Sequence, residues 1–273
     1  RANLIRFALD KRSSPIEAPL FSAEIEHALS NCLGCKACTT ECPSNVNLSL
    51  LKAELLHARH QKTSIPWQAF LISRADQLGR MGTTFPMLAN HLLESKAIKA
   101  LVQSLVGISK RRPLPRYANQ RFDTWFRTKP SQQPSSNKKV LLWDDTFTRY
   151  HEPQIGIAAV GILESAGYSV ELVTDRACCG RPAFSQGDLN QARRLGLRNI
   201  RQINRYRNDV PLLFLEPSCF SMFTEDYREL GIEGAESIAK RCALLEDFVF
   251  REDQASAPIG FSNNPQPVAV HLH

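Results

Sequence analysis

Two hydrophobic textures divide this chain. Through its first half, apolar residues recur at three- and four-residue intervals, the spacing that lines one face of a helix. Phe21, Ile25, Ala28 and Leu29 form one such row, with Ser22 placed to cap it. Leu48, Leu51, Leu55 and Ala58 form a second, capped by Ser44 or Asn47. Trp67–Leu78 and Met87–Ile108 give two further helical patterns, each opened by a proline, Pro66 and Pro86. Residues 129–139, KPSQQPSSNKK, contain no apolar residue and predict a linker.

From Val140 the pattern changes to short apolar runs between amphipathic stretches. Val140–Trp143, Ser169–Val173, Pro211–Leu215 and Val268–His271 predict strands. Gln154–Ala166, Asp188–Tyr206, Phe220–Leu230 and Glu236–Phe250 predict the helices between and after them. Alternating strands and helices imply a mainly parallel sheet with right-handed crossovers. The expected fold class is α+β overall: a helical segment over 1–62, a helical connector over 63–128, the linker, and an α/β domain over 140–273. The chain opens on Arg1 and stops in the apolar run at Val268, so it is expected to be a piece of a longer protein, with the α/β domain truncated at its C-terminus.

Four cysteines interrupt the helical half. Cys32, Cys35, Cys38 and Cys42 stand in the run NCLGCKACTTECP, C-x-x-C-x-x-C-x-x-x-C followed by Pro43. Four thiols so near along the chain can point inward together only if the backbone wraps a small object, and this is the spacing with which bacterial ferredoxins hold a 4Fe–4S cube. Gly34 and Ala37 let the backbone approach the inorganic sulfides, and Pro43 turns the chain away. Helix, cluster loop, helix is a helical ferredoxin-like arrangement. A structural zinc site usually pairs two C-x-x-C elements across a longer spacer, which is missing here. In two-cluster ferredoxins the fourth cysteine of such a run serves the other cluster. No second run accompanies this one, so the choice for Cys42 between this cube and another stays open. Lys36 sits inside the run, either as a solvated lysine or as a charge that raises the cluster potential.

Composition narrows the setting. Apolar content of 43% and charged content of 22% suit a globular protein, and no apolar run approaches the roughly 18 residues of a membrane span. Eight cysteines, four in one knot and with no secretory signal, point to a reducing compartment. The expected location is the cytoplasm, including the inner face of the membrane. The net charge of +7 fits a solvated basic surface. Met87–Ile108, with Lys96 and Lys99 and then Lys110, Arg111 and Arg112, is amphipathic and basic at its end; packing on a neighbouring domain is preferred to peripheral membrane contact.

Three more cysteines follow strands. Cys178 and Cys179 come after the second and Cys219 after the third, and functional groups of parallel sheets collect at the carboxyl ends of strands. Their convergence is therefore expected. Two interpretations stand side by side: a second metal site, or small residues at tight strand-to-helix turns. Cys242 is expected inside a helix as a core residue.

At Cys178-Cys179-Gly180 the chain resembles the CCG, or cysteine-rich, domains of heterodisulfide reductase and of the iron–sulfur subunits of glycolate oxidase and anaerobic glycerol-3-phosphate dehydrogenase. The stretches NCLGCKACTTECPSNVNLSLLKAELL, RRPLPRYANQRFDTWF, VLLWDDTFTRYHEP, CCGRPAFSQG and FLEPSC together resemble the C-terminal half of large FAD-linked 2-hydroxyacid dehydrogenases of the D-2-hydroxyglutarate and D-lactate type. The resemblance implies an FAD domain upstream of Arg1, a 4Fe–4S cluster on Cys32, Cys35, Cys38 and Cys42, and electrons leaving for a carrier protein or a quinone. The pattern departs from the full CCG motif at two places. Leu142-Trp143-Asp144-Asp145 has no cysteine ahead of the pair, and Cys219-Phe220-Ser221-Met222 ends in methionine where relatives have cysteine. Three soft ligands make a non-cubane cluster doubtful.

Two rival functions follow from the same residues. Vicinal Cys178 and Cys179 with Cys219 could carry thiol–disulfide chemistry, with Arg176 and Arg181 favouring thiolate. Arg193, Arg194, Arg198, Arg201 and Arg205 form a basic row that could meet phosphates. Without a helix-turn-helix or stacking-aromatic pattern it is more simply a solvent face, and no nucleic-acid partner is expected.

Overall fold

The computed structural model describes residues 22–43, 46–130 and 138–255, which divide into two compact units. The smaller unit gathers the described residues up to Ser73 and Pro182–Gln191; the larger contains Arg74–Arg181 and the described residues from Ala192 on.

In the smaller unit, α1 (Ala23–Ser30) begins where the Ser22 hydroxyl accepts the Ile25 N–H. A short helix, α2 (Ala37–Glu41), carries part of the cysteine run. The long α3 (Leu48–Thr63) is capped by Asn47, whose side chain accepts the Leu50 N–H at 3.0 Å. Ile25 and Leu29 of α1 pack on Leu48 of α3, with Leu51, Leu55 and Cys32 against them. Arg59 of α3 grips Glu26 of α1 at 2.9 Å. The predicted helix Trp67–Leu78 is two helices, α4 (Trp67–Ile72) and α5 (Ala75–Gly82). The break falls at buried Ser73, whose hydroxyl bonds back to the Ala69 carbonyl at 2.7 Å and so competes with helix continuation.

The larger unit takes in α5 and continues with α6 (Pro86–Glu94) and α7 (Lys96–Val106). Met87–Ile108 is therefore not one helix; Ser95 is extended between the two. After α8 (Phe122–Thr128) come β1 (Lys139–Trp143), α9 (Thr146–Tyr150), α10 (Pro153–Ser165) and β2 (Ser169–Leu172). In chain order there follow α11 (Arg181–Ser185), which after Arg181 belongs to the smaller unit, then α12 (Leu189–Ile203), of the larger unit from Ala192 on, β3 (Leu212–Phe214) and α13 (Pro217–Ser221). A π-helical stretch, Met222–Asp226, joins α13 to α14 (Tyr227–Glu229), so the helix predicted over Phe220–Leu230 is one run with a π segment inside it. Last come α15 (Ala235–Ala239), β4 (Cys242–Leu244) and α16 (Leu245–Ala255).

The four strands are all parallel in the order β2-β1-β3-β4, within a largely helical chain, which makes the fold α+β as expected. One element differs. The predicted helix Glu236–Phe250 is split by β4, which pairs Leu212 with Cys242 and Phe214 with Leu244. Its three residues find ladder partners along β3 that helix propensity alone does not foresee. Cys242 is thus a half-buried strand residue and not a helix-core one. The predicted strand Val268–His271 lies outside the described residues. Among the described residues no helix is long and apolar enough to cross a membrane.

Both faces of the sheet are covered, which explains the unbroken apolar run of β1. Val140 and Leu142 meet Leu213, Val160, Leu163 and Phe122 on one face. On the other, Trp143 meets Phe223 edge-on, Phe214 meets it tilted, and Phe223 in turn packs on Tyr227. Leu213, fully buried on the central strand β3, should lose about 2–5 kcal/mol of unfolding free energy on replacement by alanine. Urea denaturation with an unchanged m-value checks this; a loss under about 1 kcal/mol would show that this face is not the packed core.

Candidate functional site

The first cysteine group sits on the loop between α1 and α3. The Cys32 N–H closes on the Leu29 carbonyl at 3.0 Å, and the Lys52 ammonium donates to the Cys32 carbonyl at 2.6 Å. Gly34 is left-handed with φ 70°, a conformation glycine adopts without steric cost, and Lys36 takes φ 64° as it starts α2. Cys38 lies in α2, and Cys42 ends it in extended geometry. Cys32 and Cys42 are half-buried, while Cys35 and Cys38 are exposed. Thr39, next to Cys38, buries a hydroxyl with no hydrogen-bond partner. An all-thiol donor set on a backbone bent by two left-handed residues, beside an orphaned hydroxyl, fits a group rich in sulfide acceptors. Among the described residues no three His, Cys, Asp or Glu side chains stand ready to hold a single metal ion.

The second group lies in the larger unit, at the carboxyl edge of the sheet. Cys178 and Cys179 end the loop leaving β2, and Cys219 lies in α13, just beyond β3. All three are buried. The structure brings them together: the Cys219 Sγ lies 3.0 Å from the Cys179 Sγ. Both are free thiols, and a disulfide would hold the sulfurs about 2.05 Å apart. Gly180 follows at φ 92°, where an added Cβ would stand 3.3 Å from the Ala192 backbone. The left-handed turn favours glycine, and a Cβ here would also crowd the α12 backbone.

Side chains that the sequence did not single out pin this turn. Asn199, fully buried on α12, accepts the Ala177 N–H at 2.8 Å and donates to the Cys178 carbonyl at 2.9 Å. Tyr227 donates its hydroxyl to the Cys179 carbonyl at 2.7 Å and receives the Asn199 amide at 3.2 Å. Thr146, at the start of α9, lies 3.8 Å from the Cys178 sulfur and 3.2 Å from Asp76. Beneath the loop Arg176, buried, reaches Asp76 at 2.5 Å and Asp144 at 3.3 Å, while Arg149 grips Asp144 with two hydrogen bonds. The usable sequence signal was Asp144-Asp145 directly after β1, since charges at the carboxyl end of a parallel strand seldom lack a partner. Spacing gave no signal for Asn199 or Tyr227.

The electrostatics correct one expectation. Arg176 is ion-paired with Asp76 and Asp144, and Arg181 with Asp226 at 2.8 Å, so both guanidiniums are engaged by carboxylates and the pKa values of the thiols beside them are not lowered. The hydrogen bond with Cys179 and burial hold the Cys178 thiol well above its ordinary range. For Cys179 the bond with Cys178 pulls downward, but the Cys219 bond and burial outweigh it and its pKa is also well raised. Cys219 behaves likewise: the Cys179 contact lowers it, and burial with Asp145, Cys178 and Glu216 nearby raises it further. These are protonated thiols at neutral pH, quiet as nucleophiles. A bound metal would displace their protons. The arginine row of α12 is exposed at Arg193, Arg194, Arg198 and Arg201, with Ala192, Ile200 and Ile203 buried opposite, as in an ordinary amphipathic helix.

Comparison with known proteins agrees with this geometry. Residues 145–224 match the profile of the cysteine-rich domain, CCG, and so take in Cys178, Cys179 and Cys219. The chain is 27% identical over 231 residues to one of the subunits of the anaerobic glycerol-3-phosphate dehydrogenase of Escherichia coli, covering 84% of this chain and 58% of that protein. It is 27% identical over 257 residues to the D-2-hydroxyglutarate dehydrogenase of Pseudomonas putida, covering 88% of this chain and 25% of that protein. One of the subunits of the fumarate reductase (CoM/CoB) of Methanothermobacter marburgensis is 24% identical over 228 residues, 84% of this chain and 38% of its own length. The chain thus spans a little over half of the first relative and a quarter of the second. No solved structure matches it.

Asp76 gives the site a pH signature. Burial pushes its carboxyl up, but the charge and hydrogen bond of Arg176, then Arg149 and Thr146, outweigh it and hold the pKa below the usual carboxylate range. A depressed carboxyl stabilises the fold above its unfolded value of about 3.9, and that stability is lost as pH falls through the lower folded value. The stability gap between wild type and Asp76→Asn should therefore be constant near neutrality and shrink below about pH 4. Denaturation midpoints measured across that window check it; a gap that widens on acidification would contradict the pairing.

Proposed function

We propose that this chain is the iron–sulfur electron-transfer portion of a flavin-linked dehydrogenase, of the D-2-hydroxyglutarate or D-lactate type. The single observation that supports this best is the four-cysteine loop set between two capped helices and followed, in the same chain, by the CCG domain. Cys32, Cys35, Cys38 and Cys42 would hold a 4Fe–4S cluster, with FAD carried by a partner domain and a carrier protein or quinone as acceptor. Such a cluster, when bound, accepts and releases single electrons, which a two-electron flavin needs beside it.

The chain's own residues do the holding. The packing of Ile25 and Leu29 against Leu48 fixes the two helices that deliver and remove the loop. Lys52 ties the Cys32 carbonyl to α3, and its charge lies close to where a reduced, more negative cluster would sit. Exposed Cys35 and Cys38 keep the loop near the surface of its unit, where an electron partner can approach. The larger unit exposes Met81, Phe85, Met87, Leu88, Leu101 and Leu105, apolar surface that supports docking of the flavin domain and leaves peripheral contact at the inner membrane face as the other use of the same side chains. The 3.0 Å approach of the Cys179 and Cys219 sulfurs, with Cys178 beside them, supports a second candidate metal site, although the three do not stand in single-metal geometry here.

One observation favours thiol–disulfide chemistry of the heterodisulfide reductase type: the 3.0 Å contact between the Cys179 and Cys219 sulfurs. The raised thiols and the paired arginines weigh against it.

The intact protein carrying Cys32→Ser and Cys38→Ser, assayed with an artificial dye that takes electrons from flavin and with the cellular acceptor, tests the relay. Dye-linked substrate oxidation should persist while reduction of the natural acceptor falls by at least about a hundredfold, the scale on which a lost transfer route exceeds ordinary mutational effects. Collapse of dye-linked turnover at unchanged flavin content and folding would make the cysteine loop part of the substrate step and sink the proposal.

A further inference from the structure

At the carboxyl end of β2, the larger unit opens a cavity of about 550 Å³, within the size range of small-molecule sites. Its lining includes six guanidiniums, from Arg80, Arg121, Arg127, Arg149, Arg176 and Arg198. Three carboxylates, Asp76, Asp123 and Asp175, share the lining, and Asp144 lies beneath it on Arg149 and Arg176. Six positive charges against four negative ones leave an excess of two.

Most of these arginines have work inside the protein. Arg121 forks onto Asp123 at 2.9 and 2.5 Å, Arg149 onto Asp144, and Arg198 donates to the Asp175 carbonyl at 3.2 Å. Two are left over at the exposed rim. The Arg80 guanidinium has no partner among the described residues. Arg127 bonds only the Asp123 carbonyl at 3.1 Å and stands 3.7 Å from a carboxylate already held by Arg121. Arg176 lies beneath the rim with its side chain fully enclosed on Asp76 and Asp144, so its charge adds to the field of the cavity without reaching into it.

Guanidinium forks match the planar oxygens of carboxylate and phosphate. Phe126, Tyr150, Leu172 and Val173 add an apolar flank for an organic body. We propose that this cavity binds a small dianion, a phosphate ester or a dicarboxylate, with the accessible guanidiniums of Arg80 and Arg127 clamping it at the rim. The cavity reaches the thiol site through few links: Asp76, on the lining, is held by Arg176, and the Thr146 hydroxyl lies 3.2 Å from Asp76 and 3.8 Å from the Cys178 sulfur.

Titration calorimetry of the whole protein under anaerobic conditions, with inorganic phosphate and with succinate in separate runs, tests the site. At least one probe should bind at one site per chain and weaken as salt rises. Arg80→Ala with Arg127→Ala, both at the exposed rim and outside every buried ion pair, should weaken that binding by about tenfold or more. Arg193→Ala with Arg194→Ala, on the exposed face of α12, should change it by no more than about twofold. Phosphate binding without succinate binding assigns the phosphate-ester source, and the reverse assigns the dicarboxylate. Absence of binding by both probes at low salt, or equal weakening by the two double variants, would overturn the proposal.

Discussion

Much of the larger unit hangs on one buried cation. Arg176 lies fully enclosed between Asp144 at the end of β1 and Asp76 on α5, with its guanidinium 5.7 Å from the Trp143 ring. Charges taken out of water cost several kcal/mol each and are kept only where partners compensate them. Here the compensation draws the end of β1, the loop after β2, and α5 to a common point. Arg149 closes the same knot by taking the second oxygen of Asp144. The loop so fixed is the one that runs from Arg176 straight into Cys178 and Cys179. The position of the cysteine pair is therefore an electrostatic consequence before it is a matter of sulfur chemistry.

The two cysteine groups stand in opposite environments, and that difference indicates different uses. Around Cys178, Cys179 and Cys219 the protein removes water, spends its nearby arginines elsewhere, and fixes the backbone with Asn199 and Tyr227. Thiols kept neutral in this way are stable until something replaces their protons. Around Cys32, Cys35, Cys38 and Cys42 the loop is open, with two thiols exposed and two half-covered. An open loop suits exchange of electrons across a surface, while a closed pocket suits a guarded site. The chain holds both, one in each compact unit.

How far the sequence could be read depended on whether the governing forces were local. Spacing alone carried the cysteine run, because four thiols within eleven residues leave few geometries. An apolar run of four residues marked β1, the segment Ser169–Val173 marked β2, and topology then brought Cys179 to Cys219, forty positions apart in sequence. The failures share one cause. β4 exists only because β3 offers a ladder to Cys242–Leu244, and the breaks at Ser73 and Ser95 come from side-chain and backbone conformation that periodicity does not encode. Arg176 and Arg181 were misjudged for the same reason. Their charges were visible, but their partners Asp76, Asp144 and Asp226 lie far off along the chain. Asn199 and Tyr227 carry no motif, and only the folded turn shows what they hold.

The central claim is that the loop from Cys32 to Cys42 holds an iron–sulfur cluster. It is tested most directly by counting metal in anaerobically reconstituted protein and recording the electron paramagnetic resonance of its reduced form. About four irons per chain from this loop, with a signal on one-electron reduction that disappears in Cys35→Ser and survives in Cys242→Ser, is the expected result. Stoichiometric zinc without visible absorption, or an iron signal indifferent to Cys35, would contradict it.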